Sequence, residues 1–258
     1  MRKFHLFVVA LLALILVACQ GGAAGVDDLL ESGRAHLEAG GYAEAIADLE
    51  AVVETDPDNS EAHFLLGQAY NQTDDLMKAA DEFRTVIALD PDNAAAHHNL
   101  GVTYFQLQDP RSAVAEFQAA LGLGPDDPDT HYQLGATYLV LALSGADPAA
   151  LPDPQLLGQA VAEFEAALGL EEDMPEALIG LGNVHIQQGD YAAAIEALQR
   201  AIGQAPDSPE AYYALGEAYA RSGDTVGACE AYSHFLALDP PSSWRIQGEQ
   251  AMASLGCP

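Results

Sequence analysis

The chain has 258 residues, half of them hydrophobic, enough to bury a substantial core in one large domain or two small ones. Its 39 acidic residues face nine basic ones, a formal net charge of −30. Such a field repels phosphate backbones, so no nucleic-acid partner and no polybasic attachment to anionic lipid is expected.

Residues 1–18 read "MRKFHLFVVALLALILVA". A positive start at Arg2 and Lys3 precedes an apolar run that is too short for a comfortable membrane span, the layout of a secretory signal. The run ends in "LVAC", Leu16 to Cys19. These residues resemble the bacterial lipobox. The resemblance implies cleavage before Cys19 and diacylation of its thiol, which makes Cys19 the lipid-bearing start of the mature chain. Residues 19–25 then form a short flexible tether. Two or more acyl chains suffice for stable anchoring, and no other membrane contact is expected.

From residue 26 onward a repeat takes over. The segments "AHFLLGQAY", "AHHNLGVTY", "THYQLGATY", "ALIGLGNVH" and "AYYALGEAY" share a leucine–glycine pair. Gly33, Gly67, Gly101 and Gly135 follow one another every 34 residues, and Gly182 and Gly216 are again 34 apart. A period of this length predicts a solenoid in which each unit is one small folding motif. Each unit reads as two helices. The first carries apolar residues at helical spacing around the glycine; a short polar turn follows; the second has alanines and bulky apolar residues on one stripe. Units close on Asp56-Pro57, Asp90-Pro91 or Asp239-Pro240, with Gly124-Pro125 and Ala205-Pro206 as variants. Proline stops one helix, and the Asp, Asn or Ser after it can cap the next.

This pattern resembles the tetratricopeptide repeat family. Glycine at the family's position 8 is matched by the six glycines above. Alanine at position 20 is matched by Ala45, Ala79, Ala113, Ala160, Ala194 and Ala228, and the large residue at position 24 by Leu49, Phe83, Phe117, Phe164, Leu198 and Tyr232. The resemblance implies an all-α, right-handed superhelical solenoid of six helix-turn-helix repeats, at 26–59, 60–93, 94–127, 128–174, 175–208 and 209–242. Departures are Ser32 in place of leucine, Val52, Val86 and Phe235 in place of a small residue at position 27, and Glu172 in place of proline. Glycine within a helix costs about 1 kcal/mol relative to alanine. Close approach of the paired helix is the expected reason for it, with the alanines as the opposite small surface and the aromatics between successive pairs.

The fourth repeat is longer than its neighbours, and the excess, near residues 143–155, is expected to loop out between its two helices; such insertions can bind partners or be neutral. Residues 243–258 form one more helix, expected to cap the last apolar face with Trp244, Ile246, Met252 and Leu255 pointing inward. Cys229 and Cys257 fall at the same end of an antiparallel pair. Outside the cytoplasm they are expected to form a disulfide, the alternative being two free thiols.

No nucleotide-binding loop, zinc-protease motif, nucleophile elbow or paired CxxC occurs, and no enzymatic activity, metal or cofactor is expected. The resemblance places function on the concave face, at first-helix positions 5, 9, 12 and 13. Phe64, Gln68, Asn71, His98, Phe105, Gln106, Tyr132, Ile179, Asn183, Gln187 and Tyr213 are the expected groove residues: rings give contact area, and amides satisfy a peptide backbone. Family members that clamp a chaperone's C-terminal carboxylate use lysine and asparagine there, whereas position 2 here is mostly acidic (Asp27, Glu61, Asp129, Glu176, Glu210), which excludes that specificity. His63, His97 and His131 share position 4, where packing between helices is expected in preference to a metal ladder. The expected function is a membrane-anchored scaffold facing out of the cytoplasm in a bacterial envelope, with a protein or peptide partner. Alternatives are a pilotin-like assembly factor for a type IV pilus secretin and a peptidoglycan-associated organiser of wall enzymes.

Overall fold

The computed structural model describes residues 25–144 and 151–257. The signal segment 1–18, Cys19, most of the tether and residues 145–150 of the insertion lie outside the described residues. Among the described residues all regular structure is helical, and the chain divides into two compact units at Pro91/Asp92. The first unit holds two hairpins, α1 (Val26–Glu38) with α2 (Tyr42–Thr55) and α3 (Ser60–Gln72) with α4 (Leu76–Leu89). The second holds α5 (Ala94–Gln106) with α6 (Pro110–Leu123), α7 (Pro128–Leu143) with α8 (Pro154–Leu170), α9 (Pro175–Gln188) with α10 (Tyr191–Gln204), α11 (Pro209–Ser222) with α12 (Thr225–Ala237), and a last helix, α13 (Ser242–Leu255).

Polar residues start these helices as helix-end chemistry requires. Asn59, Asn93, Asp109, Asp153, Asp190, Ser208 and Asp224 each accept a backbone N–H from the first turn of α3, α5, α6, α8, α10, α11 and α12. Five hairpins turn through a left-handed residue at the same repeat position. Glycine fills it at Gly40, Gly189 and Gly223 (φ 76°, 80° and 88°); Asp74 and Gln108 adopt it at φ 63° and 60°. Aspartate tolerates this conformation well; glutamine does so at a cost.

The recurring glycine meets an aromatic ring of its own repeat, which corrects the expectation that it simply admits the paired helix and an alanine. A β-carbon built on Gly67 would lie 2.8 Å from the Phe83 ring, one on Gly101 2.7 Å from Phe117, one on Gly135 3.0 Å from Phe164 and one on Gly216 2.8 Å from Tyr232. At Gly33 and Gly182 the neighbour is Leu49 or Leu198. The second helix thus presses its largest side chain into a notch in the first. Phe83, Phe117 and Phe164 are fully buried by it, and burial of one such ring contributes roughly 1.5–3 kcal/mol. Phe164 is held from both sides, because Gly180 of the following hairpin also faces its ring. The position-20 alanines are buried throughout.

Neighbouring hairpins are tied by a hydrogen bond at a constant spacing. Tyr70 donates to Glu50 (2.5 Å), while Tyr138 and Tyr219 accept from Gln118 (2.8 Å) and Gln199 (3.0 Å). Burial, and then the Glu50 carboxylate, pushes the Tyr70 phenol above the usual tyrosine range.

In the fourth hairpin the expected loop over 143–155 is shorter than anticipated. α7 has 16 residues against 13 in α5, and α8 has 17 against 14 in α6. Leu143 ends α7, Pro154 and Gln155 open α8, and Asp153 N–H donates to Ala142 O at 3.1 Å to close the base. At 1.5 Å per residue, each helix overshoots its neighbours by about 4–5 Å.

α13 packs through Trp244, which stacks on Tyr213 (6.1 Å between centroids) and tilts against Phe235 (6.2 Å). Gly248 is the buried residue of this helix, and a β-carbon there would lie 2.5 Å from the Phe235 ring. Met252 and Leu255 are half-buried. Ile246, expected inward, is 52% exposed: it lies two residues from both Trp244 and Gly248, on the other side of a helix whose narrow inner face they define. Cys229 and Cys257 are joined by a disulfide with Cα atoms 5.6 Å apart.

Candidate functional site

Position 5 of the first helices supplies Phe64 in the first unit and His98, Tyr132, Ile179 and Tyr213 in the second, all half-buried. The rings lean on the position-24 ring of their own hairpin. Phe64 meets Phe83 and His98 meets Phe117, each with centroids 5.8 Å apart; Tyr132 meets Phe164 at 6.0 Å and Tyr213 meets Tyr232 at 5.6 Å. Each ring therefore belongs to the core of its own hairpin on one side and is half-exposed on the other. Tyr213 is further covered by Trp244 of α13.

The two adjacent histidines serve different neighbours. His97 Nδ1 lies 2.7 Å from the Glu116 carboxylate, as His63 lies 2.5 Å from Glu82 and His131 2.6 Å from Glu163. His63 Nε2 also reaches Pro57 O (2.9 Å), and His131 Nε2 reaches Pro125 O (3.1 Å), so each ring links its hairpin to the turn that precedes it. Sequence reasoning placed these histidines but missed their acids, although a signal existed. Each acid directly precedes the aromatic, as Glu82-Phe83, Glu116-Phe117 and Glu163-Phe164, and where position 4 is Leu178 or Tyr212 the matching residue is Ala197 or Ala231. His98 Nδ1 donates instead to Thr130 Oγ1 (2.6 Å), whose hydroxyl donates to Asp127. Burial pulls the His98 imidazole below its ordinary range, against the pull of Asp127 and Asp129. The ring is thus neutral with hydrogen on Nδ1.

Tyr132 and Ile179 come together in the second unit. They line a depression of about 340 Å³ with Glu176, Ala205, Ser208 and Glu210. Burial, and then Glu176, pushes the Tyr132 phenol upward, so its hydroxyl stays a donor. Asn183 and Gln187 are half-buried on the same helix as Ile179. Phe105 lines a separate and larger cavity of about 770 Å³ with Gln108, Arg111, Val140, Leu141 and Leu156 among its walls, while its neighbour Gln106 is exposed. In the first unit Gln68 and Asn71 are half-buried, and the Asn71 Oδ1 atom is buried with no hydrogen-bond partner among the described residues. Among the described residues no group of three or more His, Cys, Asp or Glu is placed to hold a metal, and no helix is long and apolar enough to cross a membrane.

A family model described as the tetratricopeptide repeat matches residues 30–94, 72–128, 157–209 and 179–243. Among solved structures, PilW, titled a widely conserved type IV pilus biogenesis factor, superposes with a TM-score of 0.73 at 18% identity, over 88% of this chain and 99% of that one. Pseudomonas aeruginosa PilF gives 0.69 at 18% identity over 87% and 96%. YrrB, titled a TPR protein with an unusual peptide-binding site, gives 0.60 at 19% identity over 78% and 97%. No curated protein matches the chain.

Proposed function

Because the chain belongs to the tetratricopeptide repeat family, we propose that this interaction scaffold holds an extended or helical segment of a partner protein along its first-helix face, while a lipid on Cys19 ties it to a bacterial membrane on the side away from the cytoplasm. The observation that carries the binding half is the depression walled by Tyr132 and Ile179, where apolar area lies beside a phenol donor and the carboxylates of Glu176 and Glu210. This mixture suits a segment with apolar side chains and unpaired backbone groups. The anchoring half rests on the Leu16–Cys19 lipobox behind a charged and apolar leader. In this reading the chain carries out no chemistry; it fixes where its partner sits.

Crosslinking of the full chain in cells, followed by identification of what is captured, tests the scaffold. Ile179→Glu places a charge on a half-buried wall residue and is expected to lose the capture; a capture that survives it removes the first-helix face from the function. Labelling with radioactive palmitate should be abolished by Cys19→Ala, and a label that persists rules out this anchor.

A second reading, an assembly factor for a type IV pilus secretin, is favoured by the likeness to PilW and PilF, which extends over nearly all the described repeats. Recovery of a secretin in the crosslink supports it; recovery of wall enzymes supports an organiser of the peptidoglycan instead.

A further inference from the structure

The 770 Å³ cavity lies in the size range of small-ligand sites, and it exists because of the step between two hairpins. α7 and α8 run past the turn joining α5 to α6, so Val140, Leu141 and Leu156 rise as an apolar wall beside Phe105, and the turn residues Gln108 to Arg111 form the opposite side. Two features of that turn are unfavourable for the fold. Arg111 sits in the first turn of α6, where the helix dipole disfavours a cation. Among the described residues no carboxylate lies within ion-pair distance of it, whereas Arg34, Lys78, Arg84, Arg221 and Arg245 are all paired. Asp109, two residues away and also on the cavity wall, attracts Arg111 without forming an ion pair: its Oδ1 accepts the Ser112 N–H and its Oδ2 the Ser112 hydroxyl, and these bonds, with the weaker pull of Arg111, hold the carboxyl below the usual range. The second feature is Gln108, left-handed at φ 60° in the turn position that three other hairpins give to glycine. A side chain kept at such a place against its backbone preference points to a use for it.

We infer that this cavity is a second binding site, for a partner segment in which an acidic side chain lies beside two bulky apolar ones. The apolar residues fill the space against Phe105, Val140 and Leu156. The carboxylate pairs with the Arg111 guanidinium. On the rim, the Gln108 amide bonds the segment's backbone, and the Ser144 hydroxyl, which donates to Val140 O, accepts a backbone N–H from it. The inference rests on the scaffold reading but not on the Tyr132–Ile179 depression.

The test uses a phage library of random short peptides selected on the full chain. Enriched peptides should carry Asp or Glu next to a pair of bulky apolar residues. Their affinity should fall about tenfold or more in Arg111→Glu, as expected for a lost charged hydrogen bond, and likewise in Val140→Asp. Val140 is already 39% exposed, so this change leaves the core intact. Arg200→Glu, which alters the net charge equally at another arginine with no ion pair among the described residues, should leave affinity unchanged. Gln108→Gly should weaken the same peptides while raising the thermal unfolding midpoint by about 2–4 °C. Peptides that bind but respond only to Ile179→Glu overturn this site and leave the scaffold reading standing. A selection that enriches nothing overturns the site as well, and the scaffold reading is then decided by the crosslink.

Discussion

The inner hairpins and the C-terminal end solve the same packing problem with different means. In α5–α6 or α7–α8, a glycine of the first helix receives a ring of the second, and the next hairpin covers what remains. α13 repeats half of this arrangement with a single helix: Gly248 receives Phe235, and Trp244 lies over Tyr213. Only one of its residues is buried, and the Cys229–Cys257 bond adds a covalent tie. With so little of α13 buried, the cross-link is a large part of what ties it to α12.

Breaking the inner arrangement should have the largest effect. Phe164→Ala empties a fully buried site gripped by two glycines and should cost about 3–5 kcal/mol, read as a lower denaturant midpoint for the whole second unit. Cys257→Ser should cost about 2–4 kcal/mol, but locally. Hydrogen exchange should speed up in α13 well before it does in α7, and equal acceleration in both helices would show that the end is no different from the interior. Gly101→Ala places a methyl against the Phe117 ring and should cost about 1–3 kcal/mol by overpacking, where alanine at an open helical glycine such as Gly122 should stabilise. The smallest effect is titration of His98. Its folded pKa lies below the unfolded one, so the neutral ring contributes stability above about pH 6.5 that is lost as pH falls. His98→Gln should flatten the fall in stability between about pH 7 and pH 5; an unchanged slope assigns that fall to other groups.

Much of this arrangement was legible in the chain. The 34-residue spacing of the glycines marks where each first helix sits, and Asn59, Asn93 and Ser208 mark where helices begin, because these choices are made by backbone conformation and local hydrogen bonding. What the glycines touch was not legible. Gly180 and Gly248 carry no repeat signature, and only three-dimensional placement reveals Phe164 and Phe235 against them. Side-chain direction at the end of the chain also escaped, since Ile246 looks apolar and inward until the narrow contact made by Trp244 and Gly248 fixes the helix rotation. The position-5 rings read as a binding row from sequence; their contacts with Phe83, Phe117, Phe164 and Tyr232 show that they are equally part of the core. The length of α7 and α8 was hidden because the extra residues Leu141 to Leu143 and Pro154 to Leu156 join helices whose ends are set by packing.

The tyrosine ties have a kinetic consequence. Tyr70–Glu50, Tyr138–Gln118 and Tyr219–Gln199 each span 20 residues, and the disulfide spans 28. Every one of these links closes a short loop, so contact order is low and no distant segment has to be found before structure pays back its entropy. Folding can begin in whichever hairpin forms first and spread to its neighbour. For a chain threaded N-terminus first through a narrow channel, each hairpin can be finished once its own residues and about twenty more have emerged.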